Sequence, residues 1–375
     1  MKVGIISMQR VVNYGSFLQA YSLKNTIEKL GHDVEFVDYM VEKPVVEGVQ
    51  EESNETVKKD GFCKKAVRYA WEHRSKKSRK LRNFYRAKMY LTQRYNDEFL
   101  PLLGISSEYK YNTNEDVIVI GSDEVFNCLQ SNKDVGYSKE LFGADANAEK
   151  VISYAASFGT TTVEGLDQYK IKDEIAQHLK KFDAISVRDV NSIEVIKNLL
   201  NVEPYYHIDP VLLSDYEGLI PDKVDLINYM IVYAYGHRIT EEEAQAINEF
   251  ANKKNLKVVT IGETNRFEWD HLLLTPFEVL AYFKNAEYIV TDTFHGTIFS
   301  LKYSKQFATI IRESNKQKLS DLLNRFELTE RTVTDIKNLE NVLNVVTDYS
   351  KVQSKIVNCR KESIEYLSKY IGKKD

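Results

Sequence analysis

Four short segments carry side chains that could do chemistry together: Asn13-Tyr14-Gly15-Ser16, Gly121-Ser122-Asp123-Glu124, Arg188-Asp189 and Thr293-Phe294-His295-Gly296-Thr297. An imidazole such as that of His295 can donate to a phosphate or exchange a proton near neutral pH. The carboxylate of Asp123 could act as a base or orient a hydroxyl, and Arg188 offers a planar fork to the oxygens of an anion. In the last segment Asp292 or Thr293 can cap a following helix, whose first N–H groups and positive dipole end favour an anion. Gly296 there lets a bulky ligand group approach the backbone. Each segment alone has a plainer explanation: a turn at Asn13 to Gly15, a helix cap at Asp123, a surface ion pair at Arg188-Asp189, and a capped turn with a half-buried histidine. What favours a site is that all four follow apolar, strand-like runs.

Those runs define the elements that must position the site. Val3 to Ser7 is followed by a helical pattern from about Ser16 to Leu30, closed by Gly31, and then by Val34 to Asp38, a strand-helix-strand opening. Further strands are expected at Val117–Ile120, Ile152–Tyr154 and Ala184–Val187. A second series runs through Met230–Tyr233, a helix at about Thr240–Lys253, Val258–Ile261, a helix at Phe277–Lys284, and Tyr288–Val290. Alternating strands and helices predict parallel sheets covered on both faces, hence two Rossmann-like domains. In such folds ligands bind beyond the carboxyl ends of the strands, where the four segments lie. The expected division is 1–215, with a basic helical insertion at about 44–115, then 216–345. A C-terminal helix in 346–375 docks back. The linker is placed near Ser214 to Asp225, where Pro221 and several charges interrupt the pattern. His207-Ile208-Asp209-Pro210 reads as a turn near that boundary.

The 375 residues, 43% hydrophobic and 28% charged, suit two ordinary domains, and a net charge of -4 argues against a dedicated nucleic-acid binder. Cys63, Cys128 and Cys359 have no metal or disulfide spacing, and no H-E-x-x-H, G-x-G-x-x-G or Walker-type loop occurs. No metal and no bound cofactor is therefore expected. The N-terminal apolar run is too short for a signal peptide, and no window approaches the ~18 apolar residues of a membrane span, so a cytoplasmic location is expected. Local charge is a separate matter. Lys64 to Arg94 contains Glu72 as its only acid and interleaves Tyr69, Trp71, Phe84, Tyr85 and Tyr90. A cationic helix facing phosphate groups or an anionic membrane surface is one reading. A solvated helix with an aromatic stripe on the core is the plainer one and is preferred.

Val3-Gly4-Ile5-Ile6 with Asn13 to Leu23, then Val119 to Asn127, Tyr154 to Gly159, Ile185 to Asp189, Asp209 to Leu213 and Asn285 to Thr297, resemble in type and order the blocks of the polysaccharide pyruvyl transferase family. The resemblance spans nearly the whole chain. It implies a GT-B-like fold, with two Rossmann-like domains facing a cleft, 1–215 on the acceptor side and 216–345 on the donor side. It also implies transfer of the enolpyruvyl part of phosphoenolpyruvate to hydroxyls of a free or lipid-linked glycan, forming a pyruvate ketal in capsule, exopolysaccharide or cell-wall synthesis. On this basis His295 and Asp123 would be catalytic. Arg188, Asn13, Tyr14, Gly15, Ser122, Thr293, Phe294, Gly296 and Thr297 would line the substrates, and peripheral contact at the inner membrane face would fall to Lys64–Arg94. An arginine two places before the histidine is frequent in the family. This chain has Thr293 there, so one anion contact must come from elsewhere. A GT-B glycosyltransferase using a nucleotide sugar, or a non-catalytic glycan-binding protein of the same fold, are the alternatives.

Overall fold

The computed structural model describes residues 1–46, 89–111, 114–131, 133, 135–236, 238–262, 267 and 269–372. Two six-stranded parallel sheets organise them. The first contains β1 (Lys2–Ile6), β2 (Asp33–Phe36), β3 (Val117–Asp123), β4 (Lys150–Ala156), β5 (Ser186–Val187) and β6 (Tyr205–Tyr206) in the order 2-1-3-4-5-6. The second contains β7 (Tyr229–Tyr233), β8 (Lys257–Ile261), β9 (Asp270–Leu272), β10 (Tyr288–Thr291), β11 (Gln306–Ile310) and β12 (Thr332–Val333) in the order 12-11-10-7-8-9. Renumbered within its own domain, that is the 3-2-1-4-5-6 Rossmann order read from its far edge. The central strands are buried from end to end, β3 and β7 at every residue, because helices cover both faces.

The main helices are α1 (Tyr14–Lys29), α2 (Lys172–Leu179), α3 (Val190–Leu200), α4 (Glu241–Lys254), α5 (Pro276–Asn285), α6 (Phe294–Lys302), α7 (Lys316–Arg325) and α8 (Tyr349–Ile371). Their starts are locally encoded. Asn13 caps α1 by accepting from the N–H of Gly15 and Ser16, and Asp189 caps α3. Thr240 with Glu243 and Thr275 with Glu278 form capping boxes on α4 and α5. The segment expected as a strand at Ala184–Val187 is shorter, pairing through Ser186 and Val187 with an isolated bridge at Ala184.

Topology decides where the loops meet. In the first sheet the order reverses between β1 and β3, and in the second between β7 and β10, so crevices open beyond their carboxyl ends. The two crevices face one another. Across them α1 packs on α5: Phe17 and Tyr21 meet Phe277 at 5.9 and 5.4 Å between ring centroids, and the Tyr14 hydroxyl donates to the Leu274 carbonyl at 2.9 Å. Helix α8 lies on the first sheet, its Tyr366 hydroxyl donating to the Ser153 carbonyl at 2.8 Å. Of Lys64–Arg94, only residues 89–94 fall within the described residues. They are helical, and Arg94 pairs with Glu98. The rest of that basic segment lies outside them.

Candidate active site

Helix α6 begins directly after β10. Thr293 caps it, its hydroxyl accepting from the Gly296 N–H at 2.9 Å, so the expected cap falls to Thr293 and not to Asp292. Asp292 instead receives the Arg312 Nε at 2.8 Å while Arg312 forks onto Glu243 at 3.0 and 3.1 Å. Burial still holds the Asp292 carboxyl above its ordinary range, against the pull of Arg312. Gly296 is required by packing, because a β-carbon there would lie 2.2 Å from the Thr291 hydroxyl. These contacts fix the first turn of α6 and project His295 from it across the cleft.

His295 lands on the first domain. A β-carbon on Gly15 would sit 2.1 Å from the imidazole Nδ1, so only glycine at the start of α1 admits the ring. On its other side Nε2 faces Asp209 Oδ2 at 3.6 Å, too long for a hydrogen bond but close enough for strong charge interaction. Asp209 follows β6 and carries no exposed side-chain surface. Its Oδ2 also accepts from Arg188 at 2.8 Å, and its Oδ1 accepts from the Val211 N–H at 3.0 Å.

Arg188, at the end of β5, bridges Asp209 to Asp123, donating to Asp123 Oδ1 at 3.1 Å, and lays its guanidinium 4.4 Å over the Phe294 ring. Asp123, at the end of β3, also accepts from the Ser16 hydroxyl at 2.8 Å and from the Glu124 N–H at 3.0 Å. Burial opposes ionisation of both aspartates. The Arg188 charge and the neighbouring imidazole outweigh it, and both carboxyls titrate below the usual range. Desolvation likewise opposes the charge on Arg188, but the two carboxylates raise its pKa. Beside this row, Lys318 of α7 reaches across the cleft to Glu124 Oε1 at 2.9 Å.

The structure therefore brings together His295, Arg188, Asp123, Gly15 and Phe294 from the residues expected on sequence grounds. Others of that set serve the framework. The Ser122 hydroxyl donates to the Ala155 carbonyl and Thr297 to the Thr293 carbonyl, Asn13 caps α1, and the Tyr14 hydroxyl crosses to the Leu274 carbonyl. Asp209 was visible as an aspartate after a strand, but Pro210 made it read as a turn. It is a turn residue and also the link between Arg188 and His295. His207, by contrast, lies in the sheet, bonded to Ser186 and stacked between Tyr154 and Tyr205. Among the described residues no cluster of His, Cys, Asp and Glu could hold a metal, and no helix is long and apolar enough to cross a membrane.

Two Rossmann-like domains meeting at an interdomain row of charged side chains define a GT-B-like protein. Solved structures share this fold at very low identity. The UDP-GlcNAc 2-epimerase of Neisseria meningitidis, bound to UDP-GlcNAc, superposes with a TM-score of 0.51 at 10% identity over 98% of this chain and 100% of its own. A UDP-forming trehalose-phosphate synthase of Burkholderia xenovorans, in complex with glucose-6-phosphate, gives 0.52 at 8% identity over 99% of each chain. No curated protein matches in sequence. The family model for polysaccharide pyruvyl transferase matches residues 13–314, and the chain belongs to that family.

Proposed function

We propose that this chain transfers the enolpyruvyl group of phosphoenolpyruvate to two hydroxyls of a glycan, leaving a pyruvate ketal and inorganic phosphate. Family membership supports the transferase class. The observation that carries the site is His295, held at a helix start between the Gly15 backbone of one domain and Asp209 of the same domain. In the reaction C3 of the donor gains a proton, the first sugar oxygen bonds to C2, and the C2–O bond to phosphate breaks. The second sugar oxygen then closes the ketal. Two hydroxyl protons are released: one balances the proton taken up at C3, and the other leaves with phosphate.

His295 is the group suited to move protons here, since imidazole works near neutral pH. Asp123 accepts three hydrogen bonds and is held in its ionised form, which makes it a weak base and a good orienting acceptor for a sugar hydroxyl. Asp209 faces the imidazole Nε2 at 3.6 Å. Arg188 completes the row. Thr293 replaces the frequent family arginine, so donor oxygens would be met by the N–H groups at the start of α6 together with Lys318 or Arg188.

A second reading, transfer from a nucleotide sugar, draws support from one observation: Arg188 is already shared by two carboxylates and Lys318 by Glu124. Such pairing suits a donor whose phosphates lie away from the imidazole. The deciding experiment incubates the purified chain with phosphoenolpyruvate and oligosaccharide acceptors, following acceptor-dependent phosphate release and the acceptor mass. The proposal expects release and a ketal product, both abolished by His295→Ala. Wild-type protein that releases no acceptor-dependent phosphate, yet is thermally stabilised by a nucleotide sugar, would replace it with the second reading.

A further inference from the structure

We infer that Glu124 is the general base that takes a proton from an acceptor hydroxyl, and that Lys318 frees it for this by moving from its carboxylate to the donor phosphate. The inference rests on the transfer reading above and adds to it a second proton-moving group, armed by the donor. Exposure selects the pair. The Arg188 and Asp209 side chains are 4% and 0% exposed, sealed within the charged row, whereas Glu124 and Lys318 are 23% and 24% exposed where the two domains meet. A substrate therefore reaches Lys318 before Arg188, and Glu124 before Asp209. Tyr235, in the loop after β7, stands half-exposed at the same opening, its phenol near enough to feel the charges of Lys318, Glu124 and Asp123.

The two partners are held unequally. Glu124 is fixed on the first domain: its Oε2 accepts from the Asn127 amide at 2.8 Å, Asn127 Oδ1 accepts from the Thr161 hydroxyl at 2.9 Å, and that hydroxyl accepts from the Leu129 N–H at 3.1 Å. A β-carbon on Gly159 would lie 2.7 Å from the same Oε2, so a glycine there leaves the carboxylate its place. Its Oε1 meets Lys318 of the other domain at 2.9 Å. Lys318 is a point charge on a flexible stem, and α7 has other holds on the first domain. Three residues on, Asp321 accepts from the Val190 N–H at 3.2 Å. Seven residues on, Arg325 donates to the His207 carbonyl at 2.8 Å and lies 3.7 Å over the Tyr206 ring. Lys318 can thus leave Glu124 while the helix stays docked.

The exchange changes what Glu124 can do. Burial opposes its ionisation, and Lys318 outweighs burial, holding the carboxyl below its ordinary range. Once a phosphate takes the ammonium, burial and the Asp123 charge are met only by Arg188, and the carboxylate becomes a stronger base. Asp123 keeps its own hydrogen bonds and stays the orienting acceptor. The proton count closes with two groups. His295 gives a proton to C3 and regains one from the second hydroxyl. Glu124 takes the proton of the first hydroxyl as that oxygen bonds to C2. Phosphate leaves with the electron pair of the C2–O bond and carries off the proton held by Glu124.

The test titrates wild type, Glu124→Gln, Lys318→Met and Lys318→Arg with phosphoenolpyruvate and with UDP-GlcNAc by calorimetry, then measures transfer at saturating donor, with thermal melts to verify folding. Glu124→Gln should bind phosphoenolpyruvate about threefold or more tightly, since nothing competes for Lys318, while kcat falls about a hundredfold or more. Lys318→Met should bind it about tenfold or more weakly, and Lys318→Arg should stay near wild type. A pair that only latches the domains would behave otherwise: both neutral variants would lose affinity together, and the swap of Glu124→Lys with Lys318→Glu would restore activity. That pattern, or unchanged or weaker donor binding by Glu124→Gln, would overturn the proposal, as would wild type binding neither donor. Acceptor-dependent phosphate release that survives Glu124→Gln would reject the base and keep the transferase. Binding of UDP-GlcNAc alone, with the same opposite shifts and no pyruvyl transfer, would keep the exchange and reject the reaction.

Discussion

Replacing Arg188 by methionine removes the one cation between two buried carboxylates while roughly keeping side-chain volume. At 2.8 Å from Asp209 and 3.1 Å from Asp123, point charges at an effective dielectric of ~20 attract by about 6 and about 5 kcal/mol. The net effect is smaller because all three ions were desolvated on folding, and loss of one partner from a buried pair costs about 3–5 kcal/mol. Urea denaturation at pH 7 should therefore show a loss in that range. In the wild type both carboxyls titrate below their unfolded value, so their contribution is present above about pH 4 and is lost as pH falls through the folded values. In Arg188→Met only the imidazole and the remaining hydrogen bonds oppose burial, so both carboxyls rise and the stability they contribute towards pH 7 shrinks. The gap between the two proteins should widen from about pH 4 to about pH 7. Adding Asp209→Asn to the variant should recover part of the loss, as a double-mutant cycle would register. A loss below about 1 kcal/mol at pH 7, or a gap constant with pH, would refute the charge row as a structural unit.

Gly15→Ala should destabilise the protein by about 1–3 kcal/mol and cut transfer activity at least tenfold, because the new methyl would overlap the His295 ring. Equal activity would show that the imidazole is free to move elsewhere. His207 offers a pH test away from the site: burial, then Arg325, lowers its pKa from 6.5 to about 4. The unfolded state thus takes up the proton first, and stability drops as pH falls from 6.5 towards 4, by up to about 3 kcal/mol at ~1.4 kcal/mol per pKa unit. Denaturation of wild type and His207→Gln across that range should converge at acid pH, and a constant difference would contradict the assignment.

Much of the fold was legible because its signals are local. Asn13, Thr240 and Thr275 announce helix starts by the hydrogen bonds their side chains can make, and the buried central strands read as continuous apolar runs because both faces are covered. The boundaries differ from expectation by one to three residues at ends where caps and fraying compete. The four strand-end loops were found for the same reason, since parallel topology sends every such loop to one edge.

The amino-acid sequence by itself determined two Rossmann-like halves, the helix start beneath His295 and the glycines at 15 and 296. Each of these depends on backbone preference or side-chain period within a few residues. Only the tertiary structure decided that Gly15 makes room for His295, that Asp209 links Arg188 to that imidazole, and that Lys318 answers Glu124. Those pairs are separated by 21 to 280 positions, and nothing local distinguishes an aspartate that ends a turn from one that also faces a charge across a cleft. Strand order and domain apposition supply that distinction, by placing both switch points against each other.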